Sequence, residues 1–136
     1  MRDPSAAYDE LVRRERETAL LGSCAALLDW DHQTYMPPKG GAHRAEQLAL
    51  LAGLIHQRAT APEIGELLGG LEGSDLVADP LAPPAVNLRE LRRDYDRATR
   101  LPQRLVEELA RVTTLAHDEW VVARRAADFA RFRPWL

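Results

Sequence analysis

Four histidines, His32, His43, His56 and His117, are the side chains best suited to hold a catalytic cation. Hydrolytic zinc sites commonly place two imidazoles at i and i+4 on one helix, so that both point the same way. No two of these four are four apart. A di-iron bundle needs two Glu-x-x-His pairs, and the nearest approach is a single Asp29-x-x-His32 at a helix end. His43 and Glu46 can share a helical face, but two ligands are half a site, and surface decoration is the expected role. Gly40-Gly41 before a helix is the nearest thing to a phosphate cradle, and its expected role is to break the preceding turn. A nucleophilic thiol needs an accessible, electropositive setting. Cys24 lies between Ser23 and Ala25 in an apolar run, so it is expected to be a buried small hydrophobe. The arginines from Arg89 to Arg104 are interleaved with Glu90, Asp94 and Asp96. The helical pairs Glu90–Arg93, Asp94–Arg97 and Asp96–Arg100 make this a solvated face, not an anion site.

The segment from Asp29 to Pro37 asks for more. Asp29 and Asp31 sit at a helix C-terminus, where the macrodipole disfavours negative charge. Partners must therefore come from elsewhere: Asp31 is expected to accept hydrogen bonds from the turn around Thr34, or to pair with Arg44 and fix the angle between two helices. Trp30, Tyr35 and Met36 add apolar bulk unusual for a loop, and this corner is expected to pack as an interhelical brace more than as a ligand contact.

The elements that position these residues are helical throughout. Apolar residues recur at spacings of three and four, and alternation of period two is never sustained. Ser5 is a plausible N-cap for a first helix running to about Trp30. In that helix Tyr8, Leu11 and Val12 share a side, and Asp9–Arg13 and Glu10–Arg14 pair at i,i+4. Its second half, Ala19 to Leu28, is apolar all round and carries small residues, which predicts the buried centre of the domain. A loop from Asp31 to Gly41 holds Pro37-Pro38 and Gly40-Gly41. The second helix covers about Ala42 to Ala59, with Ala45, Leu48, Ala52 and Ile55 as its stripe. Thr60-Ala61-Pro62-Glu63 reads as a capping box opening a short third helix that stops by Gly69-Gly70. Residues 72–84 form the longest connection. A fourth helix starts near Pro83-Pro84, with Leu88, Leu91, Tyr95 and Ala98 on its seam. Pro102 opens a fifth, reaching towards Ala127, with a stripe of Leu105, Leu109, Val112, Ala116, Trp120 and Ala123. Asp128 and Pro134 signal the start of another. The expected fold is all-α: one domain, 1–136, of about five helices, two of them long, in an antiparallel bundle or array.

Composition sets the outer bounds. At 136 residues, one core suffices without a disulfide or metal staple. Eighteen basic against twenty-one acidic residues leave a net charge of −3, which argues against non-specific nucleic-acid binding. Lys39 is the single lysine. One cysteine excludes an internal disulfide. The apolar run Ala19–Leu28 is far short of the ~20 residues of a membrane span, and the first residues lack a signal-peptide core, so a cytoplasmic location is expected.

The string Trp30-Asp31-His32-Gln33-Thr34-Tyr35-Met36-Pro37, with Gly40-Gly41, Arg44, Glu46-Gln47 and Leu51, resembles the opening of the Taq-type carboxypeptidases (thermostable carboxypeptidase 1 family). Asn87-Leu88-Arg89-Glu90, Arg92-Arg93-Asp94-Tyr95, Leu101-Pro102, Trp120, Asp128-Phe129, Phe132 and Pro134-Trp135 fit the same family. The resemblance covers essentially the whole chain. It implies a mainly helical enzyme, usually a cytoplasmic homodimer, that removes C-terminal residues from peptides with zinc or cobalt. Family members carry the metal on a His-Glu-x-x-His helix plus a later Glu, downstream of the matched region, and this sequence has no counterpart to them. No catalytic or metal-binding residue is therefore carried over, and no cofactor is expected on this chain alone. Trp30, Asp31, Thr34, Tyr35, Met36, Pro37, Arg44 and Gln47 stand as family-signature or cleft-lining candidates. Two roles follow: the N-terminal helical wall of the peptidase cleft, needing a missing catalytic portion and meeting peptide only in that context, or a stand-alone helical module for self-association or another partner chain. Neither role calls for nucleic acid or a membrane.

Overall fold

A computed structural model describes residues 3–136. Its order is α1 (Pro4–Thr34), α2 (Gly41–Ala59), α3 (Pro62–Leu71), a 3-10 turn at Asp75–Val77, α4 (Pro83–Ala98), α5 (Gln103–Arg125), α6 (Phe129–Phe132) and a 3-10 turn at Arg133–Trp135. The fold is all-α, with two long helices, α1 and α5, as the spacing of apolar residues predicts. No described helix is long and apolar enough to cross a membrane.

Several boundaries move for local reasons. Asp3, not Ser5, caps α1: its carboxylate accepts from the backbone N–H of Ser5 at 3.4 Å and of Ala6 at 3.3 Å. The capping box at Thr60 does not form, because the Thr60 hydroxyl donates instead to the His56 carbonyl at 2.8 Å, closing the last turn of α2. Ala61 is left as the N-cap of α3 with no side-chain bond, and Pro62 supplies the pre-set φ of the first turn. α3 runs through Gly69-Gly70 to Leu71, whose side chain is buried and holds the last turn.

The chain divides into two compact units, one formed by the chain up to Leu21 with Ile55–Pro102, the other by Gly22–Leu54 with Gln103–Leu136. The first has an ordinary leucine core. α3 buries Ile64, Leu67, Leu68 and Leu71, the i, i+3, i+4, i+7 face of an amphipathic helix. Ala7 and Leu11 of α1 and Leu88 of α4 complete the cluster, with Tyr8, Leu91 and Tyr95 packed against it. Each fully buried leucine contributes roughly 1.5–3 kcal/mol, so Leu11, Leu68, Leu71 and Leu88 dominate this unit. Polar ties close its edges: Arg58 to Glu17 at 2.5 Å, Arg92 to Glu72 at 2.6 Å, and Asn87 Nδ2 donating to Tyr8 Oη at 2.7 Å. On α1 the Glu10–Arg14 pair forms at 2.6 Å, while Arg13 chooses Glu10 and Glu17 over Asp9. On α4 the Glu90–Arg93 pair forms at 3.0 Å, and Arg92 takes Glu72 and Asp96. Asp94–Arg97 and Asp96–Arg100 are not among the ion pairs of the described residues.

The second unit is built differently. Its fully buried apolar residues are Ala45, Ala49 and Ala123, all small. Gly41, Ala45, Ala49 and Gly53 form a buried column at i+4 spacing along α2. A methyl group at Gly41 would overlap the Asp118 carboxylate, and one at Gly53 would overlap that of Glu107, so α2 lies close against α5 and runs antiparallel to it. The predicted α2 stripe is displaced: Ala45 is buried, but Leu48, Ala52 and Ile55 are half-buried. The smallest residues take the innermost column because only they let two helix backbones come this near.

Two further expectations are corrected here. The apolar segment Ala19–Leu28 is not a buried centre: Leu21, Ala25 and Leu28 are half-buried, while Ala19, Leu20, Cys24, Ala26 and Leu27 are exposed. Cys24 is exposed likewise. The α5 stripe also splits, with Ala123 buried, Val112 and Ala116 half-buried, and Leu105, Leu109 and Trp120 exposed. In both helices the residues are apolar enough for two neighbours, and the chain packs one side only.

Candidate functional site

The family-signature residues gather at the corner where α1 turns into α2. α1 continues one turn past Trp30, and the Thr34 hydroxyl donates to the Trp30 carbonyl at 2.7 Å. The Asp31 carbonyl then accepts from Tyr35 N–H at 3.0 Å and Met36 N–H at 2.9 Å, which ends the helix. Gly40 N–H donates to the Pro37 carbonyl at 2.8 Å and tightens the loop; a methyl group at Gly40 would lie 3.0 Å from Met36 Cγ. Neither Gly40 nor Gly41 has positive φ, so both glycines serve close approach, at Met36 and at Asp118, and not a left-handed turn.

Arg44 is the hub. From the first turn of α2 its Nη2 donates to Asp31 Oδ2 at 2.7 Å, Nη1 donates to the Leu28 carbonyl, and Nε donates to Gln47 Oε1 at 2.9 Å. Its side chain is 11% exposed against 36% for Asp31. Of the two partners expected for the Asp31 carboxylate, Arg44 is the one that forms, while the Thr34 hydroxyl goes to the Trp30 carbonyl. A planar guanidinium with five donors can hold a carboxylate, a helix-end carbonyl and an amide at once, which lysine cannot. Asp31, Arg44 and Gln47 are thus spent on one another. Trp30 and Tyr35 are not: their rings lie 5.6 Å apart between centroids, tilted by 55°, yet the two residues are 54% and 78% exposed.

A second brace went unseen in the sequence. His32, on the inward side of α1 one residue past Asp31, sets Nε2 2.6 Å from Asp118 Oδ1, with its side chain only 2% exposed. His117 meets the His32 ring edge-on at 5.4 Å, Trp120 follows His117 at 5.9 Å, and the Arg124 guanidinium lies 5.2 Å over the Trp120 ring. The partners are 86 residues apart, so no local pattern announces them. The usable signal was Gly41, whose missing side chain leaves room for the Asp118 carboxylate. A buried imidazole held by a carboxylate lacks both access and a nucleophile, so this pair orients helices.

His43 and Glu46 do not form even half a metal site. Glu46 reaches across to α5, where Arg111 donates to it from Nε at 2.8 Å. That contact holds the Glu46 carboxyl below its ordinary range and raises the Arg111 guanidinium, which also binds Glu108. Among the described residues no group of three His, Cys, Asp or Glu gathers in a way that could hold a metal ion.

The geometry defines an all-helical framework with a polar-braced corner and two exposed aromatics. Comparison with known proteins gives it a family. The profile of the carboxypeptidase Taq (M32) metallopeptidases matches residues 10–136, and the chain belongs to that family. It is 50% identical over 133 residues to thermostable carboxypeptidase 1 of Thermus thermophilus, a match covering 98% of this chain and 26% of that enzyme. It is 27% identical to thermostable carboxypeptidase 1 of Pyrococcus furiosus, covering 93% of this chain and 25% of the relative. The solved structure described as "BsuCP Crystal Structure" shares the fold with a TM-score of 0.87 at 22% identity, over 96% of this chain and 26% of that one. The chain thus spans about a quarter of the length of the relatives it matches. As for the metal that the family name implies, the donors among the described residues do not fit it: His32 is engaged by Asp118, Glu46 by Arg111, and no third donor gathers with His32 and its ring neighbour His117 into a set that could hold an ion.

Proposed function

We propose that this chain is the N-terminal helical region, residues 1–136, of a metal-dependent carboxypeptidase, walling the substrate cleft without catalysing hydrolysis by itself. The carrying observation is one of proportion: half the residues are identical across 98% of this chain, but only 26% of the Thermus enzyme is matched. In this reading zinc or cobalt and the water it activates belong to the remaining part of the protein, which acts on peptide C-termini in the cytoplasm, as a homodimer. Trp30 and Tyr35, unclaimed by the corner that holds them, are the side chains we assign to the cleft. Asp31, Thr34, Met36, Pro37, Arg44 and Gln47 keep that corner in shape.

The test is a chimera in which residues 1–136 replace the matching quarter of the Thermus relative. It should release C-terminal amino acids from peptides in the presence of zinc or cobalt, whereas the chain alone should release none. Hydrolysis by the chain alone, or a folded chimera without activity, would refute the reading. A second reading, a self-associating or partner-binding helical module, draws on the exposed apolar residues of the Gly22–Leu54 and Gln103–Leu136 unit. A tight dimer of the chain with no activity in the chimera would favour it.

A further inference from the structure

Exposed apolar residues are distributed very unevenly. Of the fourteen large apolar residues exposed among the described residues, eleven belong to the Gly22–Leu54 and Gln103–Leu136 unit and three to the other. The same unit fully buries no apolar side chain larger than alanine, while the other buries six leucines and isoleucines. Large apolar side chains exposed in such excess on one unit mark a surface that a partner covers. On α1 the uncovered side includes Leu27 at 64% exposure; on α5 it includes Leu105, Leu109 and Trp120, which share one side of the helix.

We infer that these outward faces of α1 and α5 are the docking surface for the remaining three-quarters of a full-length Taq-type carboxypeptidase chain. This rests on the reading above and adds which unit, and which sides of its helices, receive the catalytic portion. The length of the relatives supplies the occupant: roughly three-quarters of each lies outside the match, and one unit here has its apolar residues outside and its interior already filled. The leucine-cored unit offers Leu81 and Leu101 in connections and, on a helix, Leu20 alone.

Cys24 provides a native reporter, since it is the only cysteine in the chain, is exposed, and stands one turn before Leu27. Its alkylation rate, read at the Cys24 peptide by mass spectrometry, should fall at least tenfold in the chimera relative to the isolated chain. Leu27→Glu and Leu109→Glu should each restore at least half of the lost reactivity in the chimera while leaving the helicity of the isolated chain unchanged. Leu81→Glu, at a still more exposed position of the other unit, should do neither. Equal Cys24 reactivity in both proteins, a Leu81→Glu effect as large as that of Leu27→Glu, or an insoluble chimera would overturn the assignment. So would a dimer of the isolated chain that protects Cys24 as fully as the chimera does. The two readings fail separately: hydrolysis with Cys24 unprotected refutes the docking face alone, and protection without hydrolysis refutes the peptidase reading alone.

Discussion

Replacing Arg44 by lysine keeps the positive charge beside Asp31 and removes the fork. Wild-type Arg44 makes three hydrogen bonds from an 11% exposed side chain: to Asp31, to the Leu28 carbonyl and to Gln47. A bond to a charged group contributes about 1.5–3 kcal/mol when well shielded. Asp31 is a third exposed and rehydrates when released, which pulls its share to the low end. The Leu28 carbonyl is a helix-end acceptor with little else to satisfy it. Together these give a loss of about 3 kcal/mol for Arg44→Met and about 1.5 kcal/mol for Arg44→Lys, where one ammonium serves one acceptor well. In a domain of this size 3 kcal/mol moves the melting temperature by roughly 10 °C. Urea titrations followed by far-UV circular dichroism on Arg44→Met, Asp31→Asn and the double variant would close a cycle with a coupling of about 1–2 kcal/mol. Arg44→Lys within about 0.5 kcal/mol of wild type, or a coupling indistinguishable from zero, would refute the idea that the guanidinium holds α1 to α2.

Three further outcomes are expected. Ala127 has φ of 52°, the left-handed region at the end of α5, so Ala127→Gly should raise stability by about 1 kcal/mol, and a loss in thermal unfolding would contradict the strain. Leu68→Ala, at a fully buried site, should cost about 2–5 kcal/mol in denaturant titration, whereas Leu27→Ser in the isolated chain should cost less than about 0.5 kcal/mol. Burial, with the charge of Asp94 adding to it, raises the Glu15 carboxyl above its ordinary value of 4.5, so its contribution to stability is complete below that value and is lost as pH rises through the raised one. Glu15→Gln should therefore stabilise the chain at neutral pH and have no such advantage at about pH 3; a pH-independent difference would exclude this cause.

Much of the fold was legible because proline marks where helices cannot continue, whereas Gly69-Gly70, read as a stop, lies inside α3. Pro37-Pro38, Pro62, Pro83-Pro84 and Pro102 each fall within a few residues of a helix end. Asp31 was legible in part for an electrostatic reason: a carboxylate at a helix C-terminus needs a partner, and Arg44 was one of two expected, beside the turn around Thr34. The sides of α1 and α5 were not. Where residues 19–28 are apolar on every side, periodicity holds no information about which side is covered, and Cys24 followed its neighbours into the wrong environment. His32–Asp118 was illegible for the opposite reason: the pairing depends on where α5 passes α1, which only tertiary packing decides. The missed capping box at Thr60 shows a local rule losing to a local competitor, because the same hydroxyl had the His56 carbonyl within reach.

The glycine and alanine column of α2 explains the outward leucines as well as the close packing. Helices that meet through Gly41, Ala45, Ala49 and Gly53 approach too nearly for a leucine between them, so the large apolar residues of the same helix must point elsewhere. Leu50 and Leu54 do, at 65% and 40% exposure. Small residues bury little apolar area, so at about 25 cal/mol per Å² this seam contributes modestly, and specificity falls to the polar ties that cross it. Glu46–Arg111 is such a tie between α2 and α5, and His32–Asp118 holds α1 to the same α5. Such a unit is held in register by polar contacts between its helices and presents its apolar area outside, the reverse of the leucine-cored unit. Enlarging the seam would expose the difference: Ala49→Leu should drive α2 from α5, stretch the Glu46–Arg111 contact and lower stability by about 1–3 kcal/mol despite adding apolar surface. A neutral or stabilising Ala49→Leu would mean that the seam has room to spare, and that the outward leucines are not a consequence of close helix approach.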